Sequence, residues 1–349
     1  MRSLAVLALL QTCSGCIILV QLPRPAPAGG NSSSPSSCQC GVSQVSRKRI
    51  VGGQPVEKSE YPWLVALVET GSRKPFCGGT LLSSKSVLTA AHCMFRDRSQ
   101  TIKRAPSEII VLIGEHDWTR PDGEERVGVS QYTTHPQYNT ANTDNDFAML
   151  ELVKDVTFSS RMLPACLPGS DRDYDSSTAT VAGWGRFKDG RQPNTPYEVD
   201  VDTMSNTACI SIWNSQEITE NMLCAGRPGQ DSCHGDSGGP LMTKEWNHFS
   251  VIGVVSWGSP QCGHPTAPGV YSRVTRQIQW IQAQVRGDTC QDTETCAYVK
   301  ESLFVRVINF SFSSICSSCY LLVFRNRYLR IKMEMKRKVK VFFSIKTKH

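Results

Sequence analysis

The chain has 349 residues, 40% hydrophobic and 20% charged, enough apolar material to give one large domain or two average ones a buried core. Its formal net charge of +7 collects at one end: residues 325 to 349 hold ten Lys/Arg and one Glu, a contribution of +9 that leaves residues 1 to 324 at −2. A terminal basic run with no aromatic platform or groove-reading motif excludes a nucleic-acid partner, and fifteen widely spaced cysteines resemble an extracellular disulfide framework more than a reduced cytosolic protein or a metal site.

Behind Arg2, apolar runs at Leu4 to Leu10 and Ile17 to Val20 read as a secretory signal peptide, residues 1–28, cleaved after Gly15 or after Ala28. Gln11 to Gly15 interrupts the run, which weakens an uncleaved anchor needing about 20 apolar residues. PRPAPAGGNSSSPSS, residues 23–37, has the composition of a flexible segment. In CQCGVSQVSRKRIVGG a basic cluster ending at Arg49 abuts Ile50, a ready site for a protease that cuts after basic residues. From Ile50 to about Arg286, short apolar runs (WLVALVE, SVLTAAHC, IIVLIG, DFAMLEL, TATVAGWG, VIGVVSWG) alternate with Gly, Pro, Asn and Asp. Many short strands at close spacing predict an all-β sandwich or barrel. Val274, Ile278 and Ile281 in RVTRQIQWIQAQV predict one closing helix.

The stretch GQDSCHGDSGGP, residues 229–240, sets Ser237 among Gly235, Gly238 and Gly239. A serine on such a turn is either a solvated loop residue or a presented nucleophile. A nucleophilic serine needs a base to take its proton and an acid to orient that base. LTAAHC supplies His92 after an apolar run, and NTDNDFAML supplies Asp146 at the mouth of another.

These motifs, with IVGG at Ile50 and in this order, closely resemble the trypsin-like serine proteases over residues 50 to about 286. The resemblance implies two six-stranded antiparallel β-barrels packed together with a C-terminal helix, a pro-segment at 29–49, a protease domain at 50–286 and a C-terminal extension at 287–349. It implies Ser237 as nucleophile, His92 as general base then acid, Asp146 as orienting carboxylate, and the N–H groups of Gly235 and Ser237 as oxyanion hole. Asp236 matches the carboxylate that receives the ammonium of Ile50 once the chain is cut after Arg49, so the precursor is expected to be a poorly active zymogen. Asp231 matches the floor of the specificity pocket and Gly258 and Gly269 its small walls; Ser232, Ser256 and Trp257 are further substrate-binding positions, and cleavage after Arg or Lys is implied. The resemblance also pairs Cys77 with Cys93, Cys209 with Cys224, Cys233 with Cys262, and Cys166 with Cys38 or Cys40. A further pair frequent in the family is missing at both ends, at Ala179 and Thr243.

In GEHDWTRPDGEERV, Glu115, Asp117, Asp122 and Glu125 fall where some family members bind calcium; the competing reading is a solvated acidic hairpin. No cofactor is otherwise required. His135 and His234 read as surface or subsite residues. The tail carries an uncharged run from Val307 to Phe324 before its basic end. It is a native extension, a membrane anchor with positive charge inside, or a gene-model artefact. The expected partners are protein or peptide substrates, an activating protease and protein inhibitors, with a membrane only if the tail is an anchor. The expected address is extracellular. The reading from a different class is a protease-fold homologue without turnover that serves as a binding or cascade-scaffold protein.

Overall fold

A computed structural model describes residues 39–45, 53–169, 172–214, 217–228, 232–233, 235–261 and 263–290, with the backbone of a few short strands outside them. The chain divides after Ser37 into two units; in the first, β1 (Leu9–Gln11) pairs antiparallel with β2 (Ile17–Leu19). The rest of the chain is a second unit.

In that second unit, after the short β3 (Gln54–Pro55), six strands close a barrel: β4 (Leu64–Glu69), β5 (Pro75–Leu81), β6 (Ser86–Thr89), β7 (Ile109–Ile113), β8 (Glu125–Thr134) and β9 (Ala148–Leu152), in the order β4-β5-β6-β9-β8-β7. The second barrel is built from β10 (Thr178–Gly183), β11 (Tyr197–Met204), β12 (Met222–Gly226), β13 (Pro240–Glu245), β14 (His248–Trp257) and β15 (Gly269–Arg273). Its order is β10-β13-β14-β15-β12-β11, the β10–β11 pairing closes the ring, and β3 joins β11 outside it. Two closed six-stranded antiparallel barrels are the expected architecture. Closure leaves few open strand edges to be covered.

The burial pattern follows position in the sheets. β8 keeps exposed positions among buried ones, as a strand with one wet face must. β14, flanked by β13 and β15, is buried almost throughout. One hydrophobic cluster runs from Trp63, Leu67 and Leu112 in the first barrel to Met242, Val251 and Val254 in the second, and the Trp63 Nε1–H points at Met242 Sδ, 3.0 Å away. One cluster therefore bridges the barrels, while the second barrel keeps a core of its own around Val181, Val201, Leu241 and Tyr271.

The helices depart from the sequence expectation. Arg273 belongs to β15, Val274–Arg276 is a 3-10 turn, and α2 is Ile278–Gln284. The periodicity of Val274, Ile278 and Ile281 overstates the helix because all three positions are buried for different reasons. Past α2 the chain is pinned to the first barrel: Ser84 Oγ accepts from the Asp288 N–H at 2.8 Å and Ser86 Oγ donates to the Arg286 carbonyl at 3.1 Å. A helix not foreseen, α1 (Asn206–Trp213), starts at Ser205, whose hydroxyl accepts from the Ala208 N–H, and stops at Asn214 in the left-handed region. His135, expected to be a surface or subsite residue, is not at the surface, being 5% exposed. Its Nε2 lies 3.1 Å from Gln277 Oε1, and its ring packs against Trp280.

In the tail the structure describes two antiparallel strand pairs, β16 (Phe310–Phe312) with β17 (Cys316–Cys319), and β18 (Met333–Glu334) with β19 (Lys340–Val341). Among the described residues no helix is long and apolar enough to cross a membrane.

Candidate active site

β6 ends at Thr89 and the chain enters a 3-10 turn, Ala91–Met94, that carries His92; the Cys77–Cys93 disulfide fastens the turn to β5. Asp146 lies just before β9, which pairs with β6 through Thr89 and Ala148, so strand register brings imidazole and carboxylate together. His92 Nδ1 is 2.7 Å from Asp146 Oδ2, and the His92 backbone N–H donates to Oδ1 at 2.8 Å. Ser256 Oγ, near the end of β14, donates to Oδ2 at 2.6 Å. Asp146 is 0% exposed, and these three bonds satisfy a carboxylate cut off from water. Burial pulls the His92 pKa down, but the charge and hydrogen bond of Asp146 outweigh it and leave the pKa raised above 6.5.

Ser237 comes from the other barrel, in the turn before β13. Its carbonyl accepts from the Gly78 N–H of β5 at 2.8 Å and lies 3.7 Å from Cys93 Sγ, beside His92. The turn is further tied down by the Gly238 N–H on the Val255 carbonyl at 2.8 Å. Ser237 thus sits on the seam between the barrels. Among the described residues its hydroxyl has no hydrogen-bond partner, the open form in which such contacts tighten only when substrate binds.

Gly235 has φ +110° and packs against Gly185, whose Cα would lie 3.2 Å from an added Cβ; its backbone angle is one that side chains rarely adopt. Asp236 turns its carboxylate inward, where Oδ1 accepts from the Gly185 N–H at 2.7 Å and Oδ2 from the Cys233 N–H at 2.9 Å. A Cβ on Gly185 would collide with that carboxylate. Desolvation, opposed by the two backbone donors, raises the Asp236 pKa from 3.8 to about 6.

The expected pocket is described in part. Trp257 packs edge-on against Trp213 of α1 with ring centroids 5.2 Å apart. Gly258 is exposed and Gly269 is buried opposite Ala225. Ser232 Oγ lies 3.3 Å from the Tyr271 hydroxyl. The Ser256 side chain is turned to Asp146. Asp231, His234, Arg49, Ile50, Cys38 and Cys262 lie outside the described residues.

Between described residues there are three disulfides, Cys40–Cys166, Cys77–Cys93 and Cys209–Cys224, and Cys233 and Cys290 are also disulfide-bonded. The first resolves the choice between Cys38 and Cys40 as partner of Cys166. Ala179 and Thr243 stand one step beyond the Thr180↔Met242 pair of β10 and β13, so both ends of the missing bridge are neighbours.

The acidic loop differs from the expected set. The carboxylates that converge are Glu115, Asp122 and Glu124, with ligand atoms within 4.8 Å of one another. Glu125, on β8, instead pairs with Lys154 at 3.1 Å, and Asp117 holds Thr119 and Arg120. Strand alternation is the reason, since neighbouring residues point to opposite faces. Glu115 is 7% exposed, and desolvation together with Glu124 raises its pKa to about 7. Glu115 Oε2 and Asp122 Oδ1 are buried without a hydrogen-bond partner, while three cations stand at the cluster: Arg73 Nη2, 3.5 Å from Glu115 and 2.7 Å from Glu124, Lys58 Nζ, 3.2 Å from Asp122 Oδ2, and Arg161 Nη2, 3.6 Å from Asp122 Oδ1. An oxygen-rich, partly unsatisfied cluster suits a hard cation such as calcium.

Sequence reasoning missed the Ser256 hydroxyl on Asp146, Gly185 beneath Asp236, and Glu124. Only the Gly-Trp-Gly run at 183–185 carried a local signal, as glycines flanking a buried tryptophan.

Two fused barrels with a His–carboxylate pair on one and a glycine-held serine on the other define a protein of the serine-hydrolase type. The family model described as Trypsin matches residues 50–281, and the chain belongs to that family of serine proteases. Among curated proteins it is similar to mannan-binding lectin serine protease 1 of Homo sapiens, 34% identical over 260 residues, covering 70% of this chain and 37% of that protein. The protein of the same name from Mus musculus is 34% identical over 261 residues, covering 70% and 36%. The chain thus spans little more than a third of these relatives' length.

Proposed function

We propose that the chain is an endopeptidase, made as a zymogen and secreted, that cleaves after Arg or Lys. The observation that carries this is the buried His92–Asp146 pair, 2.7 Å apart, beside the Ser237 turn. In this reading His92 Nε2 takes the Ser237 proton as Oγ attacks the scissile carbonyl, and the oxyanion meets the N–H groups of Gly235 and Ser237. His92 then gives the proton to the departing amine, leaving an acyl-enzyme, and repeats the exchange with water. Asp146 fixes the imidazole with its proton on Nδ1 and stabilises the imidazolium.

Specificity would come from Asp231 facing the substrate's cation between Gly258 and Gly269. A buried carboxylate needs such a partner. Asp236 would take the Ile50 ammonium after cleavage at Arg49 and so set Gly235 for catalysis. Calcium, where bound, would be held by Glu115, Asp122 and Glu124 and would stiffen the loop between β7 and β8. All three triad residue types, His92, Asp146 and Ser237, are present in the sequence, which favours turnover over a purely binding homologue.

The test is hydrolysis of matched peptides ending in Arg, Lys, Phe or Ala, before and after cleavage at Arg49. Activity only after cleavage and only on Arg or Lys is expected, with Ser237→Ala lowering it roughly a million-fold. No turnover from protein with a free Ile50 would move the reading to the binding homologue.

A further inference from the structure

Beside Gly235 a cavity of about 370 Å³ opens toward the first barrel, within the size range of specific ligand sites. Gly235, two residues before Ser237, is part of its lining and in the reading above carries an oxyanion donor. With the side chain before the scissile bond in the specificity pocket, a peptide whose carbonyl meets that N–H lays the residues after the bond toward this cavity. The inference therefore rests on the protease reading above.

The charge of the cavity is one-sided. Lys74 and Arg186 border it and both are exposed. Among the described residues neither is in an ion pair with an acid; Arg186 Nη1 donates to the Gly190 carbonyl at 2.8 Å, which holds the guanidinium over the opening. The carboxylate on the wall, Glu69, is already taken by Arg104 Nη1 at 2.6 Å. Arg104 in turn lies over the Phe76 ring, 4.1 Å from its centroid, so Phe76 is braced as an apolar floor. Gln192 Nε2 donates to the Pro75 carbonyl at 3.3 Å and closes the far side. What remains is an apolar-floored recess with two cations at its rim and no acid unspent.

We propose that this recess is a subsite for an acidic side chain, Asp or Glu, on one of the three residues that follow the scissile bond, with Lys74 and Arg186 as its specificity-determining residues. A carboxylate entering it gains two charge contacts at a half-wet site. Such contacts act mainly on encounter and selection and weaken as salt screens them.

The experiment uses the full chain cleaved at Arg49 and peptides with a common Arg before the scissile bond, carrying Glu, Ala or Lys in turn at the first, second or third position after it. The Glu-to-Ala ratio of kcat/KM is expected to be roughly fivefold at one of these positions, in line with paired surface charges, and Lys should rank below Ala there. In the double variant Lys74→Ala, Arg186→Ala the ratio should fall to about one, and in Lys74→Glu, Arg186→Glu the order of Glu and Lys should invert. Raising salt tenfold should shrink the wild-type ratio. Equal rates on all peptides, or a Glu preference that survives in both double variants, would overturn the subsite while leaving the protease reading intact. Failure to cleave any peptide with Ile50 free would overturn the protease reading itself, and the subsite with it.

Discussion

Asp146 accepts three hydrogen bonds from two separate segments, two of them from His92 and one from Ser256, and the one from Ser256 can be removed without touching His92. Deleting that donor leaves the carboxylate more basic, which stabilises the imidazolium form of His92. The sign is fixed by the chemistry: His92 must be neutral to accept the serine proton, so activity is present above its pKa and lost as pH falls through it. With the pKa already raised, the acid limb of kcat/KM is expected above pH 6.5. Ser256→Ala should move that limb further up and lower the plateau about tenfold, the value of one hydrogen bond to a charged group. A pH profile that superimposes on the wild type would show that Ser256 does not tune the pair. Gly185→Ala tests the other face of the site. The new Cβ would strike the Asp236 carboxylate, displacing it and the Gly235 amide above it, and turnover should fall roughly a hundredfold, as for loss of an oxyanion donor. A variant with an unchanged melting transition and unchanged rate would remove Gly185 from this role.

At the scale of elements, the Cys40–Cys166 bridge ties the segment before Arg49 to the protease body. Gly41 strengthens the tie, its N–H on Pro164 at 2.7 Å and its carbonyl accepting from Phe249 at 2.8 Å. Cut at Arg49, the protein should run as one band on an unreduced gel and as two after reduction, and Cys40→Ser should release the small chain without reductant. The β7–β8 loop offers a second test. Calcium should raise the melting temperature of wild type and of Glu125→Gln alike, whereas Glu124→Gln should abolish the rise; the opposite ranking would return the site to Glu125. These cases show what was legible. Strands and triad motifs could be read because each signal is local: an apolar run, a glycine turn, a histidine beside a cysteine. The choice between Glu124 and Glu125 depends on which face of β8 turns inward, and the Ser256 bond joins residues 110 positions apart. Helix α1 was marked by Ser205 and Asn214, but its apolar residues blend into a strand-rich background.

Across the two barrels, which one hydrophobic cluster bridges, the candidate catalytic groups come from opposite sides, so in the proposed zymogen activation would act where they meet. Asp236 lies there, its carboxylate accepting two backbone N–H groups and, among the described residues, facing no cation. Its pKa, raised from 3.8 to about 6, makes a definite prediction for the uncut chain. A carboxyl whose folded pKa is raised adds stability below the unfolded value and loses it as pH rises through the folded one. Roughly two pH units correspond to about 3 kcal/mol of destabilisation near pH 7. Cleavage at Arg49 would create the Ile50 ammonium, which can pair with Asp236 and cancel that penalty. The cut protein, still held by Cys40–Cys166, should therefore melt several degrees above the uncut one at pH 7.5, and the gap should narrow as pH falls below about 6, where Asp236 of the uncut chain takes up its proton and sheds the penalty. In Asp236→Asn the gap should be absent at every pH, because the amide has no charge to neutralise. A gap that is independent of pH, or that persists in Asp236→Asn, would mean that the free amine acts through some other contact and that Asp236 is not the link between cleavage and the shape of the site.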